Sequence, residues 1–151
     1  MKRVFLFGVI AVVISHCGVI SHEKIEEKPN RVEVISNWGD GTVKEERIYL
    51  DGDVVEIMTY FENFKVNTKG RVKIVGEEEV RIGTWRSYYK NGTHWSQGEY
   101  SNGVSDGGYQ TWHPNGNPNI IGFYSNGVET GQWTFFDSTG TVVKQYDVTP
   151  G

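Results

Sequence analysis

The chain has 151 residues, enough for one domain, and only 37% of them are hydrophobic, a low share for a thick globular core. Aromatic residues make up 13% of the chain and 19 residues are glycine, against only 4 prolines, which is typical of short strands joined by tight turns. The net charge of −4 argues against a nucleic-acid partner, because a phosphate-binding surface needs clustered Lys and Arg.

The N-terminus has the pattern of a secretory signal. Lys2 and Arg3 give it a positive start, and residues 4–14 follow as an apolar run. This run is shorter than the ~20 residues of a membrane-spanning helix, so an uncleaved anchor is the less favoured alternative to a cleaved signal peptide. Removing Lys2 and Arg3 from the 15 basic residues leaves 13 against 19 acidic ones, so the mature part carries a net charge of −6.

Cys17 is the only cysteine of the chain and stands where cleavage is expected. Ile14, Ser15 and Cys17 resemble the lipobox of bacterial lipoproteins, in which the cysteine becomes the acylated first residue. His16 departs from that pattern, since a small residue is usual before the cysteine. We predict lipid attachment at Cys17 and a lipid-anchored protein of the bacterial cell envelope, with a secreted or periplasmic protein as the alternative.

The rest of the chain is dominated by a repeat with a period of 24 residues. Each copy has a glycine, an aromatic residue two positions later, a second aromatic five positions later and a glycine nine positions later. The three clear copies begin at Gly83, Gly107 and Gly131. The predicted organisation is a signal peptide (1–16), a flexible tether (17–31), degenerate N-terminal β repeats (32–82), regular repeats (83–147) and a tail (148–151).

The turn dipeptides between the repeats predict the fold. Asn-Gly and Asp-Gly tolerate positive φ and favour two-residue hairpin turns. We therefore predict an all-β fold, an elongated antiparallel β-meander with two strands of about seven to nine residues in each 24-residue repeat. The dipeptides are Asp51-Gly52, Asn91-Gly92, Asn102-Gly103, Asn115-Gly116 and Asn126-Gly127.

The two aromatic positions of each repeat are three residues apart, so they point to opposite faces of an unbulged strand. One face should carry Trp85, Tyr109 and Trp133, and the other Tyr88, Trp112 and Phe136. We expect these six rings mainly to form the core of the array, and they are also the candidate binding face. Because the last repeat has no successor, we expect its first aromatic to be less covered than that of the first regular repeat.

The repeat resembles the MORN-repeat variant family. Its full pattern is Gly-x-[Trp/Tyr]-x-x-[Tyr/Trp/Phe]-[Tyr/His]-x-Asn-Gly, and its half-repeat is Gly-x-Tyr-x-Asn-Gly. Bacterial members of that family include proteins labelled YwqK-type antitoxin components. The resemblance covers residues 83–140 well and residues 38–76 weakly. It implies a β-meander array used for protein or membrane association, and it does not indicate an activity.

The sequence offers no motif of a nucleophile, phosphate loop, dinucleotide site or zinc site, so we predict no enzyme activity, cofactor or metal. His113 occupies the slot of Tyr89 and Asp137 in adjacent repeats, but two strands separate these residues, which argues against direct hydrogen bonding. His94 is the other histidine of the array. The expected partners are another protein and, through Cys17, the membrane. A protein-binding or scaffold array is the first hypothesis, and an antitoxin-like or immunity protein is the second.

Replacing Cys17 with Ser should abolish labelling by a clickable fatty acid and leave an unprocessed or soluble precursor, because the thiol is the acylation site. Gel fluorescence after metabolic labelling, together with membrane fractionation, measures this. A wild-type chain that carries no lipid label, with fractionation unchanged by the substitution, would contradict lipid attachment.

Overall fold

The computed structural model describes residues 30–149, which form one antiparallel sheet of ten strands and no helix. The predicted signal peptide and Cys17 lie outside the described residues. The strands are β1 (Arg31–Asn37), β2 (Val43–Tyr49), β3 (Val54–Tyr60), β4 (Val66–Val75), β5 (Glu78–Tyr88), β6 (His94–Ser101), β7 (Val104–Trp112), β8 (Pro118–Ser125), β9 (Val128–Phe136) and β10 (Val142–Val148).

The order of the strands in the sheet is their order in the chain. Each strand pairs only with the strands that precede and follow it, which confirms the expected all-β antiparallel meander. Stability in such an array comes chiefly from contacts between neighbouring units. Among residues 30–149, the outer edges of β1 and β10 have no strand partner.

Two-residue turns join β6 to β7 and β8 to β9. Asn102-Gly103 has φ values of 47° and 85°, and Asn126-Gly127 has 49° and 83°. Positive φ at both central residues is the property of a type I′ turn, so the hairpin prediction is confirmed at these two dipeptides. The Gly103 amide donates to the Arg81 carbonyl at 3.0 Å and the Gly127 amide to the Ser105 carbonyl at 2.7 Å, which ties each turn to the strand before its hairpin.

The two-residue prediction is wrong for the other three dipeptides, which lie in longer loops. The Gly92 amide donates to the Tyr89 carbonyl at 2.8 Å, and only Gly92, with φ of 92°, is left-handed, as in a three-residue loop with a glycine bulge. The Thr93 amide donates to Asn91 Oδ1 at 2.9 Å, which satisfies it locally. A polar residue after Asn-Gly therefore accompanies the longer loop, whereas valine follows each two-residue turn. Asn115-Gly116 has the same geometry as Asn91-Gly92, and Asp51-Gly52 lies in a loop with positive φ at its glycine alone.

The N-terminal half is as regular as the rest, although its sequence matches the repeat poorly. Strands β3 and β4 occupy the stretch with the weakest match, and β1 lies before Trp38, where the sequence pattern begins. Phe64, with φ of 63°, holds the left-handed loop position that Gly92 holds in a regular repeat. A bulky residue in this conformation is strained. Because phenylalanine stands here in place of glycine, the Asn-Gly and Asp-Gly pattern did not reveal the loop.

Each regular repeat places an aromatic ring on a glycine of the preceding strand. A β-carbon at Gly122 would lie 2.4 Å from the indole of Trp133, and one at Gly70 would lie 2.1 Å from the indole of Trp85. The register of β8 and β9 shifts between Ile121 and Phe123, so that three residues of β9 oppose Gly122. Such a bulge re-aims the following side chain and lets the ring lie flat against the backbone.

The buried hydrophobic residues of the described chain are Leu50, Val55, Val72 and Trp133. Trp133 is only 3% exposed, so the expectation that the last repeat would be the less covered is wrong. The Trp133 ring is covered from the preceding strands, because it lies on Gly122 and has the Tyr109 and Tyr124 rings beside it. Tyr146 pairs with Trp133 across β9 and β10 and stands where an earlier repeat has glycine, and its ring stacks on Phe135.

Gly122→Ala should lower the free energy of unfolding by ~1–3 kcal/mol, because the added methyl group displaces a buried indole. Gly108→Ala is the matched control: Gly108 also lies in a strand, its φ is not positive, and a β-carbon there would meet nothing within 4 Å. Urea unfolding of both variants measures the difference. Equal stability of the two would contradict the ring-on-glycine packing.

Candidate interaction surfaces

Trp85, Tyr109 and Trp133 share one face of the sheet, as predicted, and we call it the packed face. The Tyr109 and Trp133 rings lie 5.9 Å apart, and the Tyr124 ring meets them edge-on at 5.7 and 5.2 Å. The Arg81 guanidinium lies 4.5 Å from the centre of the Trp85 ring. These rings contact one another or the backbone, so the packed face contributes mainly to stability.

Tyr88 and Trp112 lie on the opposite face, which we call the open face, and the alternation of β9 puts Phe136 on it as well. His94 lies between Tyr88 and Trp112, with ring centroids 4.9 and 5.2 Å away. The three rings form a continuous row across β5, β6 and β7. Sequence reasoning identified Tyr88 and Trp112 but missed the place of His94, because only the strand register brings it between them.

His113 has a structural contact at the loop end of the sheet. Its Nε2 lies 3.0 Å from the Phe136 carbonyl, and since a carbonyl can only accept, Nε2 carries the proton. Tyr89 Oη donates to the Trp112 carbonyl at 2.8 Å in the equivalent position one repeat earlier. The carboxylate of Asp137 accepts the Thr139 amide of its own loop at 2.9 Å. Tyr89 and His113, which occupy the same position in successive repeats, therefore tie neighbouring hairpins together. His113 is not paired with Asp137.

The outer edge of β1 is the surface that sequence reasoning missed. Val32, Val34 and Ile35 are 53%, 49% and 46% exposed. The alternation of valine with charged residues from Arg31 to Val34 is a strand signal, but it fell at the boundary between the predicted tether and the degenerate repeats. Only the structure shows that this strand pairs with β2 on one side alone.

Burial raises the pKa of the Tyr109 phenol, with a smaller contribution from Tyr100. Burial, followed by the charge of Glu129, likewise raises the pKa of Tyr124. Burial and the hydrogen bond to Glu46 raise the pKa of Tyr60. All three groups are tyrosines that the fold keeps neutral.

The described residues, 30–149, contain no group of three or more His, Cys, Asp and Glu side chains arranged to hold a metal ion. Within the same range there is no helix with the length and hydropathy needed to cross a lipid bilayer.

The fold and surfaces define an open β-meander built from hairpin repeats. Residues 81–102 and 106–126 match the family described as MORN repeat variant. These segments cover most of β5 to β8. Repeats of this kind commonly serve as protein or membrane interaction modules. Neither the search of curated proteins nor the search of solved structures found a match.

The raised pKa values predict a loss of stability at alkaline pH. Each such tyrosine contributes stability that is fully present below its unfolded pKa of ~10 and is lost as the pH rises through its higher folded pKa. Thermal midpoints between about pH 8 and 11 measure this loss. In Tyr109→Phe one of these groups cannot ionise, so the midpoint should fall less steeply. Identical slopes in the two proteins would contradict the prediction.

Proposed function

We propose that this protein is a non-enzymatic, envelope-anchored array that acts as a protein-interaction or scaffold module. The signal pattern and Cys17 support the anchored location, and the two MORN-variant segments support an interaction role. The packed face is occupied by contacts within the sheet. Partners must then bind the edges, the loops or the open face.

The observation that carries the proposal is the exposed aliphatic edge of β1. An unpaired strand edge presents a row of backbone donors and acceptors that an extended segment of another protein can extend as a further strand. Arg31 and Glu33 form an ion pair with each other at 3.2 Å, and Val32 and Val34 remain exposed beside the edge. This edge therefore offers both backbone pairing and apolar contacts.

The other edge strand, β10, differs from β1 in carrying a lysine. Lys144 of β10 lies 4.8 Å from the centre of the Tyr146 ring, so a charged side chain covers part of this edge strand. Lysine on an edge strand is a common device against pairing with another chain. The β1 end is also the end that follows the predicted tether, so in the anchored protein it would stand closest to the membrane.

The second candidate, an antitoxin-like or immunity protein, rests on the resemblance to YwqK-type antitoxin components. It would use the same kind of surface to neutralise one specific toxic partner. Co-expression with the candidate partner distinguishes the two, because only a neutralising protein restores growth.

A photo-crosslinking amino acid at position 35 in β1 should capture a partner in cells, and one at position 143 in β10 should not. The captured protein is then purified and titrated with the full-length chain. Val32→Lys/Val34→Lys should weaken binding by roughly tenfold or more, because two charges would have to be buried beside the new strand.

The matched control is Val142→Lys/Val143→Lys, which changes two exposed valines of the opposite edge. It should leave binding within about twofold of the wild type, since surface changes away from a contact have small effects. Equal weakening by both double variants, or by neither, would contradict docking at β1.

A further inference from the structure

A second surface lies on the open face of β5, β6 and β7, away from the β1 edge. It has two rows: an aromatic row of Tyr88, His94 and Trp112, and a polar row in which Arg86 precedes two amides, Gln97 and Gln110. The register pairs Arg86 with Gln97 and Gln97 with Gln110, so the second row runs straight across the strands. We call the two rows together the amide–aromatic strip.

The aromatic row borders a hollow. Thr93, His94, Trp112 and Gly116 line a space of about 320 Å³, at the lower end of the ~300–1,000 Å³ typical of small-molecule sites. His94 is exposed and Trp112 half-buried, so both rings are accessible to a ligand. No residue between 30 and 149 fills this hollow from above, because the sheet is a single layer.

The two charged groups at the strip, Arg86 and Glu99, each make a hydrogen bond to a neutral group within the protein. Arg86 Nε donates to Gln97 Oε1 at 2.9 Å, which leaves the Gln97 NH₂ group free to donate outward. Glu99 Oε2 accepts the Gly108 amide at 3.0 Å. Gln110 makes no side-chain hydrogen bond to any residue between 30 and 149, so its amide offers both a donor and an acceptor to a ligand.

Ring edges and faces beside uncharged amides complement a ligand that is apolar on one side and rich in hydroxyl groups around its rim. A pyranose ring has this chemistry: its C–H bonds pack against aromatic rings, while its hydroxyls pair with amide side chains. The two charged side chains at the strip, Arg86 and Glu99, have opposite signs, so they give the strip no net charge that would favour an ionic ligand. An extended peptide needs backbone partners, which the face of a fully paired strand does not provide.

The spacing of the strip suits a chain of sugars. Neighbouring strands are ~4.8 Å apart, close to the advance per ring of an extended, equatorially linked pyranose chain. A chain running across the strands would meet one side chain of each row per sugar. We propose that the amide–aromatic strip binds an uncharged oligosaccharide of this kind, with one ring seated in the hollow against Trp112.

Isothermal titration calorimetry of the full-length chain in detergent, with chitotetraose and cellotetraose as separate probes, tests the proposal. The wild type should bind at least one probe with a Kd of ~0.1–1 mM, as expected for a shallow site with few polar contacts. Trp112→Ala should weaken binding by roughly tenfold or more, and Gln110→Ala by about threefold or more, because each removes a direct contact.

Trp95→Ala is the matched control, since Trp95 is 52% exposed on the same strand as His94 but contacts Tyr89, outside the strip. It should bind as the wild type does. Gln110→Ala, a change of a surface side chain, decides the matter if Trp112→Ala fails to fold. Val32→Lys/Val34→Lys should keep full sugar binding, so the result is independent of the β1 edge.

The proposal is overturned if neither tetrasaccharide binds at ~5 mM, a concentration at which a Kd of ~1 mM would be detected. It is also overturned if Trp95→Ala loses as much affinity as Trp112→Ala. Tighter binding of an anionic polysaccharide or of an unfolded peptide than of either neutral sugar overturns it as well.

Discussion

The contact between an indole and a bare glycine backbone is the constraint on which the sheet depends. Trp85 lies on Gly70 and Trp133 on Gly122, each at a distance that leaves no space for a β-carbon. A single-layer sheet has no second layer to cover its side chains, so the rings cover the neighbouring strand instead. A slip of one residue would place Trp133 against Ile121 or Phe123, which fixes the register.

The same constraint explains how the array ends. In the final repeat the Trp133 ring lies on Gly122 and has the Tyr109 and Tyr124 rings beside it, so it is buried without a further repeat. The loop end is held differently, by side chains such as Tyr89 and His113 that donate to the carbonyls of the next hairpin. Each contact reaches only to a neighbouring hairpin. Stability is therefore distributed along the sheet and not concentrated in one core.

Binding is left to the surfaces whose side chains are not needed to stabilise the sheet. The packed face is occupied by its own rings, whereas the open face carries His94 between Tyr88 and Trp112 and accessible amides beside them. The β1 edge adds unpaired backbone. The edge is the site proposed for an extended polypeptide, and the strip is the site proposed for a flat hydroxylated ligand.

The sequence by itself determined the all-β class, the 24-residue period, the two aromatic faces and the type I′ turns at Asn102-Gly103 and Asn126-Gly127. These features depend on local rules: side chains alternate along a strand, and asparagine and glycine tolerate positive φ. Only the tertiary structure decided the burial of Trp133, the place of His94 between two rings, and the open edge of β1. Each depends on which residue stands across the sheet, and that is set by register and bulges that no local pattern records.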